Sequence, residues 1–473
     1  MEKQNAGFWN RENKRAESLA PGRAVFGDPY FVLRDVLPAG RRHMTRIEGL
    51  RTGNYKVLKD MTMGRLWHCR DKRPLTPLTA VLGKNGVGKS VLLEACSFLK
   101  DCVQSGVVDA CDRRGGFSRI RSLGQEGPIE LEIQCREDGE SRAVTYELAI
   151  DCDAQGRPYV ARERFGQEGE GQQHGKPVPL LILNGGKGRA WKEAQAGSTA
   201  EADVVELDDG RRPGIAVLGA LRQYPRLVSF RRFVEGWSFS SFIPDAARHL
   251  PMAGPQRHLS CYGENIANVV QYMERDHPER LSNIVQRLAA AIPGTDTVGT
   301  ETACDGRLLL RFRDSAFQEP LSVQQLSAGT LRVLACLLLI HDPEPPSLLC
   351  MEAPDNGLYH TLLDPLARGL RELASGRKGC AQVFITTHNP SLADALDAGE
   401  AWILEKGRDG FSTAHRASDN VPVRNLVEQG LPLGGFWHGG SLDEGAASRA
   451  SSGRAKSASG PSAGGNDEQR RQE

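Results

Sequence analysis

Hydrophobic and polar positions change rhythm several times along the chain. The first 43 residues show neither helical nor strand periodicity and carry breaks such as "APGRAVFGDPY", which predicts an N-terminal extension. From Met44, "MTRIEGLRTGNYKVLKDMTM" alternates short apolar runs with turn residues, as two paired strands do. Met44 is therefore a candidate for the true start of translation. "LTAVLGKNGVGKSVLLEACSFLKDCV" then runs an apolar strand into a glycine-rich turn and a helix, whose apolar stripe is Val91, Leu92, Ala95, Cys96, Leu99 and Val103. Strand alternation follows over 129–165 ("IELEIQC", "VTYELAI"), and the polar stretch "EGEGQQHGK" marks a loop. Helical patterns dominate from about 226 to 295, with Ile266, Val269, Val270 and Met273 on one face and Leu281, Ile284, Val285 and Leu288 on the next. Such stripes are core faces rather than catalytic ones. Residues 441–473 are rich in Ser, Gly and Ala and lack core-forming residues, which predicts disorder.

Composition narrows the classes. A chain of 473 residues suggests two to four domain-sized units. Its 60 basic and 59 acidic residues nearly cancel, so the whole molecule has no electrostatic preference for nucleic acid or membrane. The segments "RENKR", "GRRH" and "CRDKR" are locally basic, which more often means a solvated surface than an anion site. Eleven cysteines, from Cys69 to Cys380, include no C-x-x-C pair, which argues for reduced thiols and against a disulfide framework or a zinc site. The apolar run "VLACLLLI" falls well short of the ~18 residues a spanning helix needs. The opening "MEKQNAGFWNRENKR" has no apolar core of the secretory kind. A soluble, cytoplasmic protein with no membrane partner is expected.

The chemistry concentrates in four stretches. Gly83-Lys84-Asn85-Gly86-Val87-Gly88-Lys89-Ser90 fits G-x-x-x-x-G-K-[ST]. Glycines let the backbone wrap a phosphate chain closely, and successive N–H groups and a helix N-terminus point at the anion. Lys89 then reaches the outer phosphates and the Ser90 hydroxyl a Mg2+ ion, so a nucleotide and Mg2+ are the expected ligands. A chance glycine-rich turn is the alternative, and the strand before and helix after argue against it. "LSAGTLRVLACLLLI" places Ser327 and Gly329 at the start of an apolar helix. "SLLCMEAPDNGLYH" is an apolar strand ending in an acid, Glu352, and "AQVFITTHNPSLADAL" is another that delivers His388 to its end. Each alone reads as a helix cap, a core strand or a structural histidine. Their order after the glycine-rich loop is what joins them.

In these motifs, over residues 44 to 440, the chain resembles an ABC-type ATPase head of the RecF/SMC/OLD-like group, in its compact AAA-like form. "RIEGLRTGNYKVLKD", "YGENIANVVQYM" and "LPLGGFWHGGSL" add to the resemblance. It implies an α/β P-loop NTPase fold, a two-lobed head with a mixed sheet and a helical subdomain. The implied layout is a first lobe with Walker A and antiparallel strands (44–225) and a helical subdomain with connecting strands (226–320). A second lobe (321–440) carries signature, Walker B and switch histidine, between the extension (1–43) and the tail (441–473). Gly83 to Ser90 stands as the Walker A loop and Leu326 to Thr330 as the signature, which in this family meets the γ-phosphate of the partner subunit. Glu352 stands as the Walker B acid on Mg2+, beside Ser90, and His388 as the switch histidine.

The departures matter as much. "LSAGT" keeps the serine and second glycine of the family's LSGGQ, and Glu352 replaces the commoner aspartate. Ala353 occupies the position of the glutamate that polarises the attacking water, a group usually worth ~10²–10⁴ in rate. Asp355 and His388 are the remaining candidates for that work. The resemblance thus implies a slow ATPase that forms a homodimer around composite ATP sites and gates a partner, in DNA maintenance or anti-phage defence. The partner would be a nuclease or other effector, since no nuclease acid cluster follows His388, and nucleic acid is a partner by resemblance alone. A hydrolysis-poor, ATP-locked scaffold or sensor is the second reading, and a transporter's nucleotide-binding subunit the third.

Overall fold

Near-continuous apolar runs build a central sheet that is covered on both faces. The computed structural model describes residues 45–137, 142–169, 177–192, 202–375 and 381–438. The expected extension (1–43), Met44 and the expected tail (441–473) lie outside them. In chain order the strands are β1 (Thr45–Tyr55), β2 (Leu58–Gly64), β3 (Leu78–Leu82), β4 (Ile129–Glu137), β5 (Ala143–Cys152) and β6 (Pro158–Gln167). Then come β7 (Val178–Asn184), β8 (Lys187–Ala190), β9 (Asp203–Glu206), β10 (Trp237–Ser240), β11 (Thr295–Thr302) and β12 (Leu308–Asp314). The last are β13 (Leu321–Ser322), β14 (Leu348–Glu352), β15 (Gln382–Thr387), β16 (Ala401–Lys406) and β17 (Ser412–Arg416).

The central sheet has the order β10-β14-β15-β3-β16-β17. Its pairs are parallel except for β16 with β17. Alternate residues feed two separate cores, as the period of two requires. Val81, Leu348, Cys350, Phe384, Trp402 and Leu404 face one core. Leu78, Ala80, Leu82, Leu349, Met351, Val383, Ile385, Ala401 and Ile403 face the other. The first core is closed by the helix Lys89–Ser105 and by an antiparallel sheet of order β2-β1-β4-β5-β6-β7-β8-β9. The second is closed by the helices Ile266–Asp276, Pro278–Ala291, Ala328–Ile340 and Leu363–Ala374 and by the small sheet β11-β12-β13. Two cores about a mixed central sheet agree with the two-lobed α/β architecture that the resemblance implies.

The helical stripes hold as core faces, with Ile266, Val269, Val270, Met273, Leu281, Ile284 and Leu288 all buried. Burying each such side chain stabilises by about 1.5–3 kcal/mol. The interval 226–320 divides between the cores. Phe230 and Phe233, on the helix Pro225–Glu235, join the first, where Phe230 packs 4.9 Å from Tyr146 and 5.1 Å from Phe165. β10 pairs in parallel with β14. The helices from Ile266 onward belong to the second core.

One buried acid sets a pH dependence. Glu132 on β4 is pushed from 4.5 up to about 7, first by burial and then by the neighbouring charge of Glu147, against the pull of Arg51. The folded chain therefore holds a proton there that the unfolded chain releases above about 4.5. Stability from this group is fully present below that pH and is lost as pH rises through about 7. Glu132→Gln should raise stability by roughly 2–3 kcal/mol at pH 8 and change little at pH 4.5. Denaturant melts at the two pH values check this, and equal effects at both would contradict it.

Candidate functional site

Parallel strands place their C-terminal ends along one edge, the usual position for a ligand crevice in such sheets. Here that edge carries nearly all of the expected residues. Ser240 of β10 is level with Met351 of β14, Glu352 with Thr386 of β15, and Thr387 with Leu82 of β3. Ser241, Glu352, Thr386–His388 and the Gly83–Ser90 loop thus follow one another across the sheet edge.

The loop leaves β3 and enters the helix Lys89–Ser105 through Gly88, which caps it at φ 99°. A side chain there would meet Ser412 Oγ and Val57 Cγ2, each 2.8 Å from an added Cβ, so only glycine fits. From behind, the Ser412 hydroxyl donates to the Val87 carbonyl at 2.6 Å, and its N–H donates to the Val57 carbonyl at 2.9 Å. The loop is braced by strands on both sides while Lys84, Asn85 and Gly86 face solvent. Lys89 Nζ donates to the carbonyls of Gly83 (2.6 Å) and Lys84 (2.9 Å). Burial lowers its pKa, opposed by the charges of Asp355 and Glu352, which places both acids in its field.

Glu352 is the meeting point. Its Oε1 accepts the Ser90 hydroxyl and its Oε2 accepts the Ser241 hydroxyl at 3.0 Å. Hydroxyl and carboxylate oxygens suit Mg2+, which takes one or two protein oxygens and completes its shell with water and phosphate. Among the described residues no cluster of three His, Cys, Asp or Glu would hold a metal alone.

Ala353 follows with φ 42°, a left-handed backbone rare for a residue with a side chain. Its N–H donates to the carbonyl and hydroxyl oxygens of Thr386, both at 3.1 Å. Asp355 is buried, and its Oδ1 has no hydrogen-bond partner among the described residues. Burial raises its pKa, while a hydrogen bond with Thr387 and the charges of His388 and Arg332 pull it down. His388 itself is exposed at the end of β15. The chain thus brings Lys89, Ser90, Glu352, Asp355 and His388 to one place.

Ser327 and Gly329 open another helix, Ala328–Ile340. Ser327 caps that helix, its Oγ accepting the Thr330 N–H at 3.0 Å. A Cβ on Gly329 would lie 3.2 Å from the Gly357 carbonyl, so this exposed helix start is packed against the loop after β14. Ser241, Thr386 and Thr387 were not among the expected residues. The threonines stand just before His388 in "VFITTH", as polar residues ending an apolar run, and this was the one local signal available. Ser241 gives none, because only the pairing of β10 with β14 brings it to Glu352.

Residues 78–394 match the family described as "AAA domain, putative AbiEii toxin, Type IV TA system". No curated protein matches the chain. Among solved structures, an SmcHead bound to the C-winged helix domain of ScpA is similar at 14% identity, covering 78% of this chain and 97% of that one, with a TM-score of 0.47. The SMC head domain from Thermotoga maritima shares 14% identity over 78% of this chain and 98% of that one, at a TM-score of 0.38. An Smc head domain with an extended coiled coil bound to the C-terminal domain of ScpA, derived from Pyrococcus furiosus, shares 14% identity over 81% and 100%, at 0.42.

Proposed function

The chain belongs to this AAA family, and from that premise we propose that it binds Mg-ATP on the Gly83–Ser90 loop and hydrolyses it slowly, using ATP to close a homodimer that gates a partner. The observation that carries the reading is the convergence of Ser90 and Lys89 with Glu352 at the ends of β3 and β14. Loop N–H groups and Lys89 hold the phosphates, while Ser90 and Glu352 hold the metal and Ser241 fixes the second oxygen of Glu352. Bound Mg2+ supplies charge neutralisation at the outer phosphates. Asp355, whose pKa burial raises, is the base this chain retains beside the site, and His388, whose charge acts on Asp355, would sense the terminal phosphate.

Ser327, exposed at the start of its helix, and the half-buried Gly329 beside it are the residues that a second copy's ATP would meet, which is why the proposal includes a dimer with two shared sites. A nuclease or other effector is the proposed partner, with nucleic acid as a further ligand and the cytoplasm as the setting. DNA maintenance or anti-phage defence is the proposed context. Among the described residues no helix is long and apolar enough to cross a membrane. Ala353 favours a second reading, an ATP-held scaffold or sensor in which turnover is too slow to matter and binding itself is the signal.

Calorimetric titration of ATP with and without Mg2+ tests the site. Ser90→Ala and Glu352→Gln should each weaken Mg-ATP binding about tenfold, the worth of one contact to a charged group, and leave metal-free ATP binding nearly unchanged. An unaltered chain that binds no ATP, or whose affinity ignores Mg2+, would sink the reading.

A further inference from the structure

Arg332 lies five residues into the helix that Ser327 caps, and its guanidinium joins two distant backbone points. Nη1 donates to the Ala353 carbonyl at 3.3 Å and Nη2 to the Phe242 carbonyl at 3.1 Å. The plane also lies over the Phe242 ring, 5.5 Å from its centre. Each carbonyl belongs to the residue next to a metal-end side chain: Ala353 follows Glu352 and Phe242 follows Ser241. Arg332, Phe242, Ser240 and Glu352 line one crevice together.

Two features argue for more than packing. Arg332 is half-buried and gives its hydrogen bonds to two backbone carbonyls, the charge of Asp355 only partly offsets its burial, and a charge kept in such a place is seldom the most stable choice. Its donors also go to the peptide unit that follows Ala353, whose left-handed backbone costs energy and persists only when its surroundings hold it. Thr386 holds the N–H side of Ala353 and Arg332 the carbonyl side. A planar fork can hold two carbonyls at once in a fixed relation, which a lysine ammonium on a flexible stem does poorly.

Building on the proposed Mg-ATP site, we infer that Arg332 is a positioning residue for its metal end. By clasping the Ala353 and Phe242 carbonyls it sets Glu352 and Ser241 in register, and it couples both to the helix that presents Ser327. A shift of that helix start, the surface proposed to meet a second copy's ATP, is transmitted to Glu352 through one side chain. Gly329, tight against the Gly357 carbonyl, moves the same loop from its other end.

The test titrates Mg2+ against ATP binding by calorimetry in wild type, Arg332→Lys, Arg332→Gln and Ser241→Ala, with thermal melts alongside. Loss of an outer partner of a metal ligand typically costs 10- to 100-fold in metal affinity. Arg332→Gln should therefore raise the Mg2+ concentration for half-maximal effect about tenfold, with metal-free ATP affinity within about twofold of wild type. Ser241→Ala should shift in the same direction, and Arg332→Lys should fall between. Should Arg332→Gln fail to fold, the lysine variant and Ser241→Ala still decide. A lowered melting temperature with unchanged Mg2+ dependence would reduce Arg332 to a packing residue and overturn the inference alone. A wild type that binds no Mg-ATP would overturn the site and the inference together.

Discussion

Steady-state phosphate release from Mg-ATP is expected to rise by about 10²- to 10⁴-fold when Ala353 is replaced by glutamate. Ala353 directly follows Glu352, where the strand leaves the sheet beside Thr386. A positioned base there is worth about 3–5.5 kcal/mol of barrier. The backbone at φ 42° costs any L-residue roughly 1–2 kcal/mol, which the alanine already bears. That strain is present in ground and transition states alike, so it does not raise the barrier. The gain should therefore appear nearly whole in the rate, with little change in melting temperature. An unchanged rate would mean that a glutamate at 353 adds nothing to what Asp355 already does, and the proposal that turnover is slow for want of a base there would fail.

Lys89→Ala is expected to weaken ATP binding about 10- to 100-fold. One charge-assisted contact contributes about 1.5–3 kcal/mol, and each decade in affinity corresponds to 1.4 kcal/mol. Burial works against the charge of this half-buried lysine, and the two nearby acids, Asp355 and Glu352, only partly offset that. Its bonds to the Gly83 and Lys84 carbonyls keep the ammonium inside the curve of the loop. Calorimetry on the folded variant is the measurement. An affinity within threefold of wild type would place the phosphates elsewhere.

What the sequence made legible follows from how local each feature is. The Gly83–Ser90 loop is contiguous, and its geometry is written in its own glycines, so strand, turn and helix could be read at once. Glu352 and His388 were readable because each ends an apolar run. Arg332 was not, because its function depends on carbonyls 21 and 90 residues away. Ser241 was hidden for a similar reason, lying 111 residues from the acid it bonds. The left-handed turn at Ala353 was invisible too, since alanine carries no signal for positive φ. The long antiparallel sheet was legible through β6, where apolar alternation is regular. It faded over β8 and β9, whose four residues each are too short to establish a period.

The placement of β3 between β15 and β16 has a consequence for synthesis. The strand that bears the phosphate loop is made early, but both of its sheet neighbours, and Ser412 behind Gly88, leave the ribosome roughly 300 residues later. At ~5–20 residues per second that is a wait of ~15–60 s. Through that interval the nascent chain carries the whole glycine-rich motif without a site. ATP therefore cannot serve as an early folding ligand, and translation products that stop before β15 should be blind to the nucleotide.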